Sequence, residues 1–436
     1  MLVSFSVGNY LSFKNIQTLN LVADSFKEYN ENLHTPYLFS QEDRVLKSIA
    51  IYGHNSNGKS NFIKSFQFFK QLVFNSFSLG QSQNSIPIEP FKLNVTMLDK
   101  PSYFEIIFLV KETKYRYRVQ ITRNSILEEC LYYAEPKIRE NAVFERFGQE
   151  IKISKIWNKD MAGKPEQMKS FAKPHILFLS ILLSQEGINR IDSIGKWLNA
   201  NLIIPDNYLE ELARAKEIYS DQKYRDIILK FIDNADLGFK TIFDKIDQIS
   251  KAKSYEKGML NLLYDKEIYN FELYTKHDVF DANNHLIDSI EFELIKNESA
   301  GTIKYFIVVC YLSYAIRNSY RIWIDELDSR FHSDLLEMLV LSYHNPKINP
   351  IESQLIFTVH NTSIMDKKLR RDQMVLVDKD KYGESFLLKI HSSKKPLRID
   401  KSIEREYRKG KLGGFSKKVK DYNLTLFPFE EENQGT

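Results

Sequence analysis

The chain has 436 residues, a hydrophobic fraction of 43%, a charged fraction of 27% and a formal net charge of +4. These are the proportions of a globular protein with room for more than one lobe, and so small a net charge does not by itself indicate nucleic-acid binding. The two cysteines, Cys130 and Cys310, lie far apart and without metal-ligand spacing, which argues against a disulfide framework and fits a reducing compartment.

The N-terminus MLVSFSVGNYLSF lacks the basic segment and small-residue cleavage site of a signal peptide. The longest apolar run, Tyr305–Ile316, is too short to cross a bilayer as a helix. A cytoplasmic protein without membrane association is expected. Taken in order, LVSFSVGNYLSF and IQTLNLVA read as strands around Gly8–Asn9, and LKSIAIYG (Leu46–Gly53) as a buried strand. Helical spacing of Phe62, Ile63, Phe66, Phe69, Leu72 and Val73 predicts a helix over Asn61–Phe77. SYFEIIFLV, YRYRVQIT and SILEECLYY read as antiparallel strands, and HILFLSILLSQ and INRIDSIGKWLNANL as helices.

From Asp206 to about Lys253 the chain is charged and reads as helical, an insertion rather than a linker. Strands return in NFELYTKHDVFDANNHLIDSIEFEL, and a helix follows over Thr302–Asn318. YRIWIDEL, SQLIFTVH, QMVLVDKD and ESFLLKIH read as strands, with SDLLEMLVLSYH a helix between the first two. This alternation around a buried sheet predicts α/β architecture. The expected division is an N-terminal half over 1–199 with an antiparallel β-subdomain, an inserted helical lobe over 200–256, a C-terminal half over 257–395, and a basic then acidic tail over 396–436 that serves oligomer or partner contact.

The stretch Gly53, His54, Asn55, Ser56, Asn57, Gly58, Lys59, Ser60 fits G-x-x-x-x-G-K-[ST], follows a strand and opens a helix at Asn61. Glycines let backbone N–H groups converge on phosphate oxygens, and the helix N-terminus adds partial positive charge. Lys59 then reaches the outer phosphates of ATP, and Ser60 offers a hydroxyl to Mg²⁺. A second carboxylate-bearing strand end is needed to hold Mg²⁺, and Ile322–Ile324 ends at Asp325. Glu326 follows as the expected general base toward water. The bland alternative is a pair of capping carboxylates. His360, at the tip of LIFTVH, is expected at the γ-phosphate and the attacking water, the alternative being a satisfied loop histidine.

Beyond these motifs, NESAGTIKYFIVV, DELDSRFHSDLL, KKLRRDQMVLVDKD and the opening FSVGNYLSFK resemble the ABC-ATPase-like AAA family ATP-binding proteins. These are relatives of the RecF and SMC heads and of the OLD and PARIS ATPases, common in bacterial abortive-infection and restriction-linked phage defence. The resemblance is nearest to the RloA and AbiL types, covers about residues 1–420, and extends to NADLGF (Asn234–Phe239) and YRKGKLGGF (Tyr407–Phe415). It implies a P-loop ABC/SMC-head-like fold and an ATP sandwich between two copies, in a homodimer or higher homo-oligomer. Ser299, Gly301 and Thr302 of one copy would cap the γ-phosphate held by another, and Asp328 would stand for the D-loop aspartate at the interface. The signature is degenerate, and Ser299–Thr302 also reads as a plain helix cap. No Q-loop is evident, Gln71 lying inside the first helix.

The resemblance further implies a regulatory ATPase with a companion effector, a nuclease or RloB-like protein, on another polypeptide, since no nuclease carboxylate cluster follows the ATPase motifs. A RecF-like DNA-repair ATPase is the alternative. The cations between Lys394 and Lys420, with Tyr407 and Phe415 among them, suit nucleic-acid contact, a solvated helix face or partner docking equally. YNLTLFPFEEE near the end of the chain reads as either core or a partner-binding tail.

Overall fold

The computed structural model describes residues 1–34, 44–82, 85–136, 138–161, 163–185, 187, 189–245, 272–330, 332–351, 353–390 and 402–412. Strands β1 (Leu2–Gly8) and β2 (Gln17–Asn20) are followed by the two-residue strands β3 (Leu33–His34) and β4 (Val45–Leu46). Strand β5 (Ser48–Tyr52) leads through a tight loop into α1 (Lys59–Leu79). An antiparallel run comprises β6 (Ser102–Val110), β7 (Thr113–Ile121), β8 (Ile126–Ala134), β9 (Asn141–Phe147) and β10 (Glu150–Ile153). Helices α2 (Lys155–Asp160), α3 (Lys164–Met168), α4 (Phe178–Leu183) and α5 (Asn189–Asn199) lead to β11 (Asn201–Ile204).

Next come α6 (Leu212–Ser220), α7 (Gln222–Asp233), β12 (Thr241–Lys245), β13 (Glu272–Phe280), β14 (Leu286–Glu293), α8 (Leu294–Asn297) and α9 (Ala300–Asn318). The remaining elements are β15 (Arg321–Ile324), α10 (Ser333–His344), β16 (Gln354–Val359), β17 (Met374–Lys379), β18 (Ser385–Lys389) and α11 (Ile403–Arg408).

Two large sheets organise these elements. One is antiparallel with order β10-β9-β8-β7-β6-β1-β2; the other has order β11-β15-β16-β5-β17-β18 and is parallel except for the edge strand β18. Helix α1 lies between them. Its Phe66 stacks on Trp323 of β15 with ring centroids 4.0 Å apart, while Phe62, Phe66 and Phe69 meet Phe5 of β1. Each of these fully buried rings contributes about 2 kcal/mol through removal from water.

The parallel sheet is covered on both faces, which is why its strands read as continuous apolar runs. Ile49, Ile51, Trp323 and Ile356 pack toward α1, whereas Ala50, Tyr52, Ile322, Ile324, Leu355 and Phe357 pack toward α9 and α10. Helix α9 is buried almost all round, from Thr302 to Ser313 without a break. No helix of the described residues is long and apolar enough to cross a membrane.

Several elements differ from the sequence reading. Helix α5 stops at Asn199 because Asn201 Nδ2 donates to the carbonyls of Trp197 and Leu198, both at 3.0 Å. Asn201–Ile204, read as helical, instead pairs in parallel with β15 as the edge of the main sheet. Thr241–Lys245, also read as helical, follows the left-handed Gly238 (φ +83°) and pairs antiparallel with β13. Strands β9 and β10, which have no counterpart in the sequence reading, extend the antiparallel sheet beyond β8.

Much of the basic tail lies outside the described residues, as do YNLTLFPFEEE and residues 246–256 of the insertion. Within α11, Arg408 pairs with Glu404, and Lys409 and Lys411 just beyond the helix pair with its Glu406. Tyr407 is buried against Tyr52 and offers no face for stacking.

Candidate active site

The loop from β5 to α1 is shaped by contacts that only glycine tolerates. Gly58 has φ +111°, and a Cβ there would strike Ser385 Oγ and stand 2.7 Å from Ser12 Oγ. A Cβ on Gly53 would meet Val377 O at 2.5 Å. The neighbours that crowd the loop also hold it. Ser385 Oγ donates to Asn57 O at 2.6 Å, Asn57 Nδ2 to Val377 O at 3.1 Å, and Asn61 Nδ2 to Ser12 Oγ at 2.9 Å. Asn55 and Ser56 are exposed at the tip, and His54 contributes its carbonyl, which accepts from Asn57 N.

Among the described residues, no acceptor pairs with the backbone N–H of Lys59, Ser60 or Asn61, whereas Phe62 N closes the first helical bond to Gly58 O. Orphan donors at a helix start are suited to receive phosphate oxygens. Lys59 is buried with its side chain folded over the loop. Its Nζ donates to Gly53 O at 2.7 Å and His54 O at 3.2 Å and lies 3.4 Å from His360 Nδ1. Burial pushes its amine down to about 8, with Asp325, Glu326 and Asp328 pulling the other way.

Three strand ends complete the site: β15 delivers Asp325, its parallel neighbour β16 delivers His360, and β5 next to it delivers the loop. Thr358 ties the first two together. Its Oγ1 donates to Asp325 Oδ1 and accepts from Glu326 N, both at 2.6 Å. Glu326 sits at φ +50°, and its Oε1 is 3.5 Å from His360 Nε2. Asp328 Oδ2 accepts from the backbone N–H groups of His360 (2.9 Å) and Asn361 (2.6 Å). The aspartate expected at a subunit interface is thus engaged within its own chain, where it pins the histidine loop.

Lys59, Asp325, Glu326, Asp328 and His360 converge, with Ser60 one step along the helix. Ser299, Gly301 and Thr302 have no hydrogen bond to the loop among the described residues. Ser299 Oγ caps α9 by accepting from Thr302 N at 3.1 Å and lies 2.9 Å from Thr302 Oγ1. Glu298 just before it accepts from Thr275 Oγ1 at 2.5 Å and His277 Nε2 at 2.7 Å, so β13 fixes this corner. A Cβ on Gly301 would meet Arg330 O at 2.6 Å. Gln71 stands twelve residues into α1, about 18 Å along the axis from Lys59.

Sequence reasoning missed Thr358, Lys304 and the buttress of Ser12 and Ser385. Lys304 is 1% exposed, and its Nζ donates to Glu326 O at 2.5 Å and to Ser329 Oγ. Burial pushes its amine down to about 8. A lone lysine inside AGTIKYFIVVC and a lone threonine inside LIFTV are the signals that could have found these two.

The donor set fits a Mg²⁺–nucleotide. No group of three or more His, Cys, Asp or Glu that could hold a metal alone occurs among the described residues. A Mg²⁺ ion shared with phosphates needs only one or two protein oxygens, as Ser60 and Asp325 would supply.

Comparison with known proteins bears on this arrangement. A search of curated proteins returned no match. Among solved structures, the SMC head domain from Thermotoga maritima is 12% identical with a TM-score of 0.41, covering 91% of this chain and 99% of that one. The Smc head domain with an extended coiled coil bound to the C-terminal domain of ScpA, derived from Pyrococcus furiosus, is 12% identical with a TM-score of 0.37, covering 89% and 95%. The family model described as "AAA domain, putative AbiEii toxin, Type IV TA system" matches residues 48–366, from the first residue of β5 past the His360 loop. The chain belongs to that AAA-domain family, with the α/β fold of a nucleotide-binding P-loop ATPase.

Proposed function

We propose that this protein is a Mg²⁺-dependent ATP hydrolase that works as a nucleotide-driven dimerising switch, the sensor ATPase of an anti-phage abortive-infection system of the RloA or AbiL type. The convergence of Lys59, Asp325, Glu326 and His360 at three adjacent strand ends carries the catalytic part. The loop N–H groups and Lys59 hold the phosphates, and Ser60 and Asp325 hold Mg²⁺, which neutralises phosphate charge when bound. Glu326 accepts the proton of the attacking water, and His360, beside both Lys59 and Glu326, orients that water. Gly301 and the cap of α9, with no bond to the loop of their own chain, serve the phosphates of a second copy. The defence role rests on the AbiEii and toxin–antitoxin wording of the family. A separate effector protein, nuclease or RloB-like, receives the output.

Glu326→Gln tests this. In light-scattering chromatography with ATP and Mg²⁺ it should form a stable dimer or higher oligomer that disperses without nucleotide. A variant that stays monomeric at saturating ATP overturns the sandwich, and one that hydrolyses ATP like the parent places the base elsewhere. Capture of the same variant from infected cells should retain one stoichiometric partner. Turnover stimulated by duplex DNA with a steep salt dependence would instead favour the RecF-like reading.

A further inference from the structure

A cavity of about 670 Å³ opens between α7, the C-terminal end of α9, the C-terminal half of α10 and the following loop. Its walls are mostly apolar, with Ile227, Phe231, Ile316, Met338, Ile348 and Ile351, and carry the polar side chains of Asn234 and Ser342. Ile351 is 44% exposed, and Ile227, Met338 and Ile348 are only half-buried. Lys230, Arg317 and Lys347 stand at its rim and are exposed; none forms an ion pair among the described residues. An apolar hollow of this size with three cations at its edge suits a segment that is apolar first and acidic next.

The chain carries such a segment. Residues 424–432 read LTLFPFEEE, four large apolar side chains and then three glutamates. We propose that Leu424–Phe429 of this chain fill the cavity and that Glu430, Glu431 and Glu432 meet Lys230, Arg317 and Lys347. The reach is sufficient. Leu412 is buried in the same apolar cluster as Ile316 and α10's Leu336 and Leu339. Helix α11, just before it, packs on the 3-10 turn Ser363–Asp366, which also touches α10. Eleven residues lie between Leu412 and Leu424, and the twelve Cα-to-Cα steps can span up to about 40 Å.

The position gives the contact a consequence. The cavity sits at the far end of α9 from Ser299–Thr302, about 28 Å along the helix axis. It also lies on α10, which follows the turn bearing Asp325 and Glu326. A tail seated there braces both helices that lead to the candidate site. None of the cavity residues belongs to that site, so the seat does not depend on its chemistry.

The test uses the full chain with Phe427 replaced by the photocrosslinker p-benzoylphenylalanine, irradiated and mapped by mass spectrometry. The expected adduct is within one chain, on Met338 or another wall residue. It should fall at least fivefold in Lys230→Glu/Arg317→Glu, whose substitutions are at exposed positions, with unchanged circular dichroism. Changing Glu430, Glu431 and Glu432 to Lys in that background should restore it. An adduct elsewhere in the chain, an adduct joining two copies, no adduct to this chain, or undiminished crosslinking in the charge variant would each overturn the proposal.

Discussion

The Nζ of Lys304 stands 2.5 Å from the carbonyl oxygen of Glu326. The helix that begins with Ser299–Thr302 is thereby fastened to the backbone of the carboxylate expected to act on water. Lys304 is almost wholly screened from solvent, and Glu326 holds a left-handed φ that its neighbours must maintain. Lys304→Met keeps the apolar stem and removes the donor. Turnover should fall about tenfold to a hundredfold, since small misplacements of a catalytic group cost this much. Affinity for a non-hydrolysable ATP analogue should stay within about twofold, because the Lys59 loop is untouched. Phosphate release and analogue titration measured side by side decide the matter: equal loss in both would mean that Lys304 supports the fold as a whole.

Thr358 is fully buried and satisfies two groups at once, Asp325 Oδ1 and Glu326 N. Thr358→Val preserves the shape and strands both partners. The expected cost is about 1–3 kcal/mol of folding stability, the penalty for buried polar groups left unpaired. Thr358→Ser should recover most of it. Urea unfolding of the three proteins provides the check, and a Val variant as stable as the parent would show that water takes over the hydroxyl's bonds.

The main sheet and the loop before α1 were legible in the sequence because each has a local signature. The strands are short apolar runs, and the Gly53–Ser60 spacing marks a tight glycine-bearing loop between a strand and a helix. Asp325 and His360 were legible because each ends such a run. Thr358 was not, because its partner lies thirty-three residues away and only the parallel register of β15 and β16 joins them. The strands β11 and β12 were misread for a related reason: segments of four or five residues with only two or three apolar side chains (NLII, TIFDK) beside a helical pattern carry no period of their own, and pairing with β15 or β13 decides their state. The intrachain engagement of Asp328 was equally invisible, since a motif position says nothing about which backbone N–H groups will face it.

Burial holds the Lys59 amine near 8, below its ordinary 10.5. Two opposite slopes follow from that sign. In the nucleotide-free protein the buried ammonium is a cost, present below about pH 8 and relieved as pH rises toward 10.5, because the unfolded chain then binds the extra proton. Bound phosphate reverses the preference, so affinity for the ATP analogue should be flat up to about pH 8 and weaken above it. Unfolding free energies of the parent and Lys59→Met, compared between pH 8 and 10, isolate the first slope, since Lys304 titrates in both. Calorimetric titration over the same range reads the second, and affinity that stays constant to pH 10 would remove Lys59 from phosphate contact.

Gly301 has a helical backbone, so an alanine there meets no conformational penalty and on helix propensity alone would stabilise α9 by about 1 kcal/mol. The added Cβ would nevertheless stand 2.6 Å from the carbonyl oxygen of Arg330, itself at φ +71° and close behind Glu326 in sequence. A backbone oxygen cannot rotate away as a side chain can, so either α9 or the turn must move. Overpacking of this kind costs about 1–3 kcal/mol, which outweighs the propensity gain. Gly301→Ala should therefore lower the melting temperature by a few degrees and reduce turnover more than analogue affinity. A raised melting temperature with turnover preserved would mean that the turn yields freely, and the close approach of α9 to it would then be packing without consequence for hydrolysis.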